Sequence, residues 1–415
     1  MSQPLPTNPT RASLGVRRVL LVVAIAALIL ALMELVARAL LSPARTGAGG
    51  MFVLDHKVGW RYPAHQVERG RKWFGVEHPE LTFTTNNRGL KGERDYPAPK
   101  EKNEIRILCL GDSSTNYMHF DAYPEYLERQ LNGAFPEKKF RVQNAGVAGF
   151  SSENAKNLAK VELPLFDPDF VIVLIGTCDA QRAPIRDSQK GGIRNFSDLL
   201  AQVAQHSRLV TAIRDNAPAW MIRTYIATPN RDAKGRDGPR CTTEEYRHNL
   251  ESIAHRAKKQ GAFTLISGVT WLYPIPLAEA GSDAAWAPIA PYQEVIRSLK
   301  PDASRLIVDP ARQLFDRPDR AAFFAWIENA PGAKTPAVLD NGHLNGAANE
   351  LLAAFYAKQL APIIREKYGR MQYDPGPMNR VIARYKTPPP FDPSHIKFTP
   401  PEEEWKKIPA AEMAK

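Results

Sequence analysis

The feature that most limits the possible folds is an alternation of strand-like and helix-like segments that begins at residue 105. Segments with apolar residues at helical spacing separate apolar runs that are typical of buried strands. These runs are Ile105–Leu110, Phe140–Gly146, Asp169–Gly176, Ala262–Ser267 and Arg305–Pro310. The alternation predicts a three-layer α/β/α fold with a parallel sheet of about five strands.

A long apolar segment near the N-terminus predicts a membrane anchor at residues 19–41. Val19–Met33 is uninterrupted, and Glu34 and Arg38 then follow within the segment. A membrane span needs about 20 apolar residues, so this segment is long enough only if both charges are tolerated. Their four-residue spacing, with Glu first, favours an ion pair on a helix. The alternative is a cleaved signal peptide that ends near Ala37–Ala39.

Arginines that precede the anchor predict its orientation and the division of the chain. The positive-inside rule keeps residues 1–18 in the cytoplasm and exports the residues after the span, which predicts a periplasmic position for them. After the 19–41 anchor we predict an irregular N-terminal extension at 42–103 and an α/β domain at 104–369. Residues 370–415 are rich in proline and are predicted to form a C-terminal tail.

The composition excludes some classes of partner. The net charge of +11 suggests nucleic acid, but the basic residues are scattered and no nucleic-acid-binding motif accompanies them. The 3 cysteines have no metal-site or disulfide spacing. We therefore predict no nucleic-acid partner, no metal and no cofactor.

Four polar clusters are expected at one edge of the predicted sheet, because parallel strands end on the same side. Taken singly, each cluster is explained by a turn, by backbone packing or by a helix cap. Together they form an ordered set. They are Gly111–Ser114, Asn144–Gly149, Gly176–Asp179 and Asp340–His343.

The side chains in these clusters suit acyl transfer by an activated serine. A hydroxyl such as that of Ser113 is a weak nucleophile and needs a base, for which His343 is the candidate. Asp340 is the candidate partner for the second ring nitrogen of the histidine. The main-chain amides of Ser113 and Gly149 are candidate donors to the negative oxygen that develops on the substrate.

Over residues 104–365 the sequence resembles the SGNH, or GDSL-type, hydrolases. "GDSST" matches the nucleophile block at Ser113, "NAGVAG" the oxyanion-hole glycine at Gly149, and Asp340 and His343 the final block. Residues 86–115 are similar to the lead-in of membrane-anchored bacterial members. The resemblance implies a flavodoxin-like fold and a serine esterase with Ser113, Asp340 and His343 as its catalytic triad.

The third block departs from the family pattern. The family has Gly-x-Asn-Asp, and Cys178 stands where that asparagine donates to the oxyanion. A thiol is a weak donor, and losing one donor costs on the order of 10²–10³ in kcat. The departure is compatible with a slower enzyme, with a pocket retuned for another acyl acceptor, or with a site that only binds. A nucleophilic cysteine is disfavoured because Ser113 already holds that place.

These features predict an esterase that acts through an acyl-enzyme on O-acyl groups of an envelope glycan, or on a lipid ester. The first alternative is an O-acyltransferase that uses the same triad, with residues 181–241 and 271–337 excluding water. The second is a non-catalytic glycan-binding or assembly protein that retains the fold.

Overall fold

The alternating segments build one parallel sheet in the computed structural model. The structure describes residues 10–40, 45–46, 51–55, 57–73, 76–116, 121–189, 207, 209, 237–269, 289–317, 320–327, 338–369 and 371–387. The chain divides into two units, one of residues 1–56 with 192–226 and the other of residues 57–191 with 227–415. Most of the predicted proline-rich tail, from residue 388 on, lies outside the described residues.

The elements run in the following order along the chain. The described strands are β1 (Arg45–Thr46), β2 (Phe52–Asp55), β3 (Gly59–Arg61), β4 (Val67–Trp73), β5 (Val76–Thr84), β6 (Glu104–Gly111), β7 (Lys139–Gly146), β8 (Phe170–Leu174), β9 (Phe263–Ser267), β10 (Arg305–Val308), β11 (Phe324–Ile327) and β12 (Val338–Leu344). The described α-helices are α1 (Thr10–Leu40), α2 (Tyr123–Ala134), α3 (Ser152–Phe166), α4 (Thr243–Lys259), α5 (Ala290–Ser298), α6 (Pro310–Gln313), α7 (Gly346–Tyr368) and α8 (Gly376–Arg384).

The predicted parallel sheet is confirmed in the larger unit. Its five strands lie in the order β10-β9-β8-β6-β7, and every adjacent pair is parallel. Every residue of β6 and of β8 is buried, which explains why β8 and the Ile107–Leu110 part of β6 are continuous apolar runs instead of alternating ones. The two charged residues of β6, Glu104 and Arg106, form a buried ion pair. All five predicted strands are present, with ends that differ by a few residues from the predicted ones.

Alternate residues of the interior strand β6 pack into different parts of the core. Ile105, Ile107 and Cys109 share one hydrophobic cluster with residues of α2, α7 and α8. Leu108 and Leu110 are equally buried but fall outside that cluster. The side chains of β6 therefore alternate between the two faces of the sheet, and both faces are covered. The cover on both faces holds β6 in place within the sheet.

The smaller unit contains the N-terminal helix α1. Its segment Val16–Leu40 is 25 residues long with a mean hydropathy of 3.0, and none of its most apolar window is buried. Arg38 Nε lies 2.7 Å from Glu34 Oε1, the i,i+4 ion pair that the sequence favours. The helix is long and apolar enough to be a membrane anchor or a signal sequence.

A buried ion cluster joins the segment before the sheet to α3. The carboxylate of Glu162 on α3 is fully buried and accepts hydrogen bonds from Arg61, from Arg88 Nη2 at 2.9 Å and from the Tyr96 hydroxyl at 3.0 Å. All three donors come from the predicted extension at residues 42–103. From Lys57 onward, that extension belongs to the same unit as the sheet.

We expect Glu162→Ala to lower the free energy of unfolding by about 3–5 kcal/mol, because it leaves buried guanidinium groups without their counter-charge. Glu101→Ala is the control. It removes an exposed pair with Lys139 at 2.6 Å, so its cost is expected below about 1 kcal/mol. Chemical denaturation of the full chain in detergent measures both. Equal effects would contradict a structural role for the buried cluster.

Candidate active site

The loops that follow the three adjacent strands β6, β7 and β8 leave the sheet at the same edge. Ser113 follows β6, Gly149 follows β7, and Cys178 follows β8. Because the strands are parallel and in register, with Gly111 opposite both Gly146 and Leu174, these loops start side by side. The carboxyl edge of an open parallel sheet is where ligands bind in such folds.

The turn that carries Ser113 is tightly constrained. The Asp112 carbonyl accepts from the N–H groups of Thr115 and Asn116, each at 3.1 Å, and Asp112 Oδ1 accepts from the Ser114 N–H at 2.8 Å. Only glycine fits at position 111, since a Cβ there would lie 2.0 Å from Thr115 Oγ1. These bonds fix the direction in which the serine side chain leaves the strand end.

The Ser113 hydroxyl lies beside the imidazole of His343. The distance from His343 Nε2 to Ser113 Oγ is 2.7 Å, and both side chains are partly exposed. This is the geometry in which a histidine can take the proton of a serine hydroxyl during nucleophilic attack. The structure therefore brings together two residues that are 230 positions apart in the sequence.

His343 is presented by a strand pair that the sequence analysis did not anticipate. It lies on β12, which is antiparallel to β11. Phe324 pairs with Leu344 and Ala325 with Asp340, so the register between the two strands shifts across residues 341–343. Such an irregularity re-aims a side chain relative to a regular strand. Immediately afterwards α7 begins, with the Asn345 side chain accepting from the Ala348 N–H at 3.0 Å.

The predicted triad carboxylate, Asp340, lies on β12 three residues before His343. Its side chain lies outside the described part of the structure. The contact between Asp340 and the second ring nitrogen of His343 stays a prediction.

The predicted oxyanion donors have N–H groups that remain available. Among the described residues, none accepts a hydrogen bond from the main-chain N–H of Ser113 or of Gly149. Gly149 has a φ of +79°, a backbone conformation that favours glycine. Main-chain amides are the kind of donor that stabilises a tetrahedral oxyanion, so both stay candidate donors.

Asp112 is a buried carboxyl group within this turn. It is 1% exposed, and its Oδ2 has no hydrogen-bond partner among the described residues. Burial raises the pKa of the Asp112 carboxyl, while the Ser114 N–H and the nearby His343 oppose that rise.

Cys178 is a buried, protonated thiol. Burial raises the pKa of the Cys178 thiol well above its ordinary value, and the negative charge of Asp112 raises it further. The thiolate is the reactive form of cysteine, so this environment opposes a nucleophilic role. The thiol remains available only as a weak hydrogen-bond donor at the position of the family asparagine.

The carboxylate of Asp179, next to Cys178, holds the start of α3. It is fully buried and accepts from the Ser152 N–H, at 2.9 Å to Oδ2, and from the Ser152 hydroxyl. Burial raises the pKa of Asp179 to about 7, although the Ser152 hydrogen bonds oppose that rise. The loop after β8 is thereby fixed to α3, the helix that begins three residues after Gly149.

The raised pKa of Asp179 predicts a pH-dependent stability. The folded state holds this proton more tightly than the unfolded state, so its stabilisation is complete below about pH 4 and is lost as the pH rises through about 7. The difference in unfolding free energy between wild type and Asp179→Asn is therefore expected to fall between pH 5 and 7 and to level off above pH 8. Denaturant titrations across this range measure it. A difference independent of pH would contradict the assignment.

Three residues near the site were missed by the sequence analysis. Trp60, Tyr62 and Arg240 contact the main chain of residues 148–149 from positions 86 to 91 residues away. No local pattern in the sequence indicates contacts over such separations. Tyr117 and His119, which follow the Ser113 turn, lie outside the described residues, as do Trp271, Trp286 and the side chain of Trp326.

A parallel sheet covered by helices, with a serine–histidine pair at its carboxyl edge, is an arrangement compatible with a serine-dependent acyl hydrolase. The model of the GDSL-like lipase/acylhydrolase family matches residues 109–351. The chain belongs to this family, and it is a hydrolase that acts on ester bonds. No curated protein sequence matches it.

Solved structures similar to this chain include two esterases or acylhydrolases. A lipase/acylhydrolase from Enterococcus faecalis is 16% identical, with 62% of this chain and 96% of that chain covered and a TM-score of 0.35. Axe2, an acetylxylan esterase from Geobacillus stearothermophilus, is also 16% identical, with 65% and 96% covered and a TM-score of 0.35.

Proposed function

We propose that this protein is a serine esterase that acts through an acyl-enzyme formed on Ser113. The observation that carries the proposal is the 2.7 Å approach of His343 Nε2 to Ser113 Oγ at the carboxyl edge of the sheet. The available N–H groups of Ser113 and Gly149 support it, because they can receive the oxyanion.

The reaction proceeds in two halves. In the first, Ser113 Oγ attacks the acyl carbonyl as His343 Nε2 takes the hydroxyl proton, and the Ser113 and Gly149 amides stabilise the oxyanion. The alcohol leaves with the proton from His343. In the second, water attacks the acyl-serine with His343 again as base, and the carboxylic acid product leaves as Ser113 recovers its proton. Asp340 is the proposed partner that orients the imidazole.

We further propose that the substrate is an O-acyl group of an envelope glycan, or a lipid ester, on the periplasmic side of the membrane. The apolar run of α1 supports attachment to a membrane, and Arg11, Arg17 and Arg18, which precede that run within the helix, support export of the larger unit. An enzyme that hydrolyses ester groups close to a membrane needs its larger unit to be held near the membrane surface. The net charge of +11 is favourable for acidic glycans and anionic headgroups.

The direct experiment uses the full chain in detergent micelles with a short aryl acetate. We expect release of the aryl alcohol and of one acetate per turnover. Adding oligosaccharide acceptors tests the alternative activity, since acylated sugar in place of free acetate would identify a transferase. No turnover with any acyl ester, together with retained glycan binding, would contradict the esterase and favour a binding protein. Protease accessibility of the larger unit in sealed spheroplasts tests its position.

A further inference from the structure

The main chain of the loop Val147–Phe150, here the Gly149 loop, is held by side chains from outside it. The Ala148 carbonyl accepts from Trp60 Nε1 at 3.1 Å, and the Ala148 N–H donates to the Tyr62 hydroxyl at 3.2 Å. On the next residue, the Gly149 carbonyl accepts from Arg240 Nη1 at 2.6 Å. Hydrogen bonds therefore fix the peptide group that contains the Gly149 N–H, and also the peptide groups before and after it.

The three side chains are themselves fixed. Tyr62 is 1% exposed and packs edge-on against Phe83, with ring centroids 4.9 Å apart. Arg240 is 6% exposed and forms a buried ion pair with Asp187, Nη2 to Oδ2 being 2.7 Å. The Arg240 guanidinium lies 5.7 Å from the centroid of the Trp60 ring, so two of the three residues also support one another.

The Trp60 ring lies directly against Gly149. A Cβ built on Gly149 would lie 3.4 Å from Cζ2 of Trp60. The same ring packs edge-on against Phe150, with centroids 5.4 Å apart. Trp60 thus touches the loop through one hydrogen bond and through ring contacts on two successive residues. Trp60 and Tyr62 precede the segment 109–351 that matches the family, so the extension contributes contacts that the family match does not include.

We propose that Trp60, Tyr62 and Arg240 are positioning residues that aim the Gly149 N–H at the oxyanion. The proposal rests on the proposed esterase function and deepens it. A hydrogen-bond donor contributes to catalysis when it is held in place before charge develops. An N–H on a loop that is fixed on both sides therefore stabilises the oxyanion more than an N–H on a mobile loop. The weak donor at Cys178 increases this dependence, because the oxyanion then relies on the two amides.

The test compares two variants that each remove one hydrogen bond to the loop. Trp60→Phe keeps an aromatic ring but removes the indole N–H, and Tyr62→Phe removes only the hydroxyl. For each, we expect kcat with an aryl acetate to fall about tenfold with KM unchanged. We also expect faster hydrogen–deuterium exchange in the peptide that contains residues 147–151. The matched control is Tyr96→Phe, which removes a hydrogen bond from the same extension to Glu162 and should leave kcat and loop exchange unchanged.

The two readouts separate this proposal from the proposed function. If wild type lacks esterase activity, the esterase proposal fails. Faster loop exchange in the two variants would still support the positioning contacts, and unchanged exchange would overturn them. In an active enzyme, a raised KM with unchanged kcat would make Trp60 a substrate contact and overturn the proposal. If Trp60→Phe unfolds the protein, Tyr62→Phe decides, because its ring still packs on Phe83.

Discussion

Replacing Ser113 with alanine is expected to lower kcat/KM for an aryl acetate by about 10⁴-fold or more, because the acyl-enzyme can no longer form. The neighbouring serine provides a matched control. Ser114 differs from Ser113 by one position, and its N–H is bonded to Asp112 Oδ1 at 2.8 Å. Ser114→Ala should therefore keep activity within a few-fold of wild type. A large loss in Ser114→Ala with activity retained in Ser113→Ala would reassign the nucleophile.

His343→Ala should cost about as much as Ser113→Ala, and the double variant should lose little more than either single variant. Residues that act as one unit are non-additive, since removing either partner disables the same step. The 2.7 Å contact between Nε2 and Oγ is the structural reason to expect this coupling. Steady-state kinetics of the two single variants and the double variant measure it. Losses that multiply would mean that the two side chains act in separate steps.

Another large expected effect is an increase in kcat. Cys178→Asn is expected to raise kcat, by up to about 10²–10³-fold, because an amide N–H₂ replaces a weak thiol donor at the oxyanion position. The buried Cys178 thiol has a raised pKa and stays protonated, so the change removes no nucleophile. Cys178→Ala serves as the control and should differ little from wild type. The measurement is kcat for the aryl acetate, and an unchanged or lower value in Cys178→Asn would contradict this account of the thiol.

The fold was predictable because its strands carry strong local patterns. The wholly buried strand β8 and the Ile107–Leu110 part of β6 are continuous apolar runs, and such runs between helical segments permit few topologies. Once the sheet is parallel, the positions of Ser113, Gly149 and Cys178 after successive strands place them at one edge. The Glu34–Arg38 pair was equally predictable, because four-residue spacing on a helix is a local property.

The remaining features depend on contacts between distant parts of the chain. The irregular pairing that presents His343 arises between β11 and β12, and "LDNGHL" by itself is typical of a turn before a helix. The contacts of Trp60 and Arg240 with the Gly149 loop join residues 88 and 91 positions apart. Propensity and periodicity describe single segments, so they carry no information on such contacts.

Peptide mapping after reaction with a fluorophosphonate is the most direct test of whether Ser113 is the nucleophile. The full chain in detergent is treated with the probe and digested, and the adduct is located by mass spectrometry. We expect a single adduct on Ser113, formed in Ser114→Ala as in wild type and lost in both Ser113→Ala and His343→Ala. An adduct on another residue, or an active enzyme in which Ser113 stays unlabelled, would contradict this expectation.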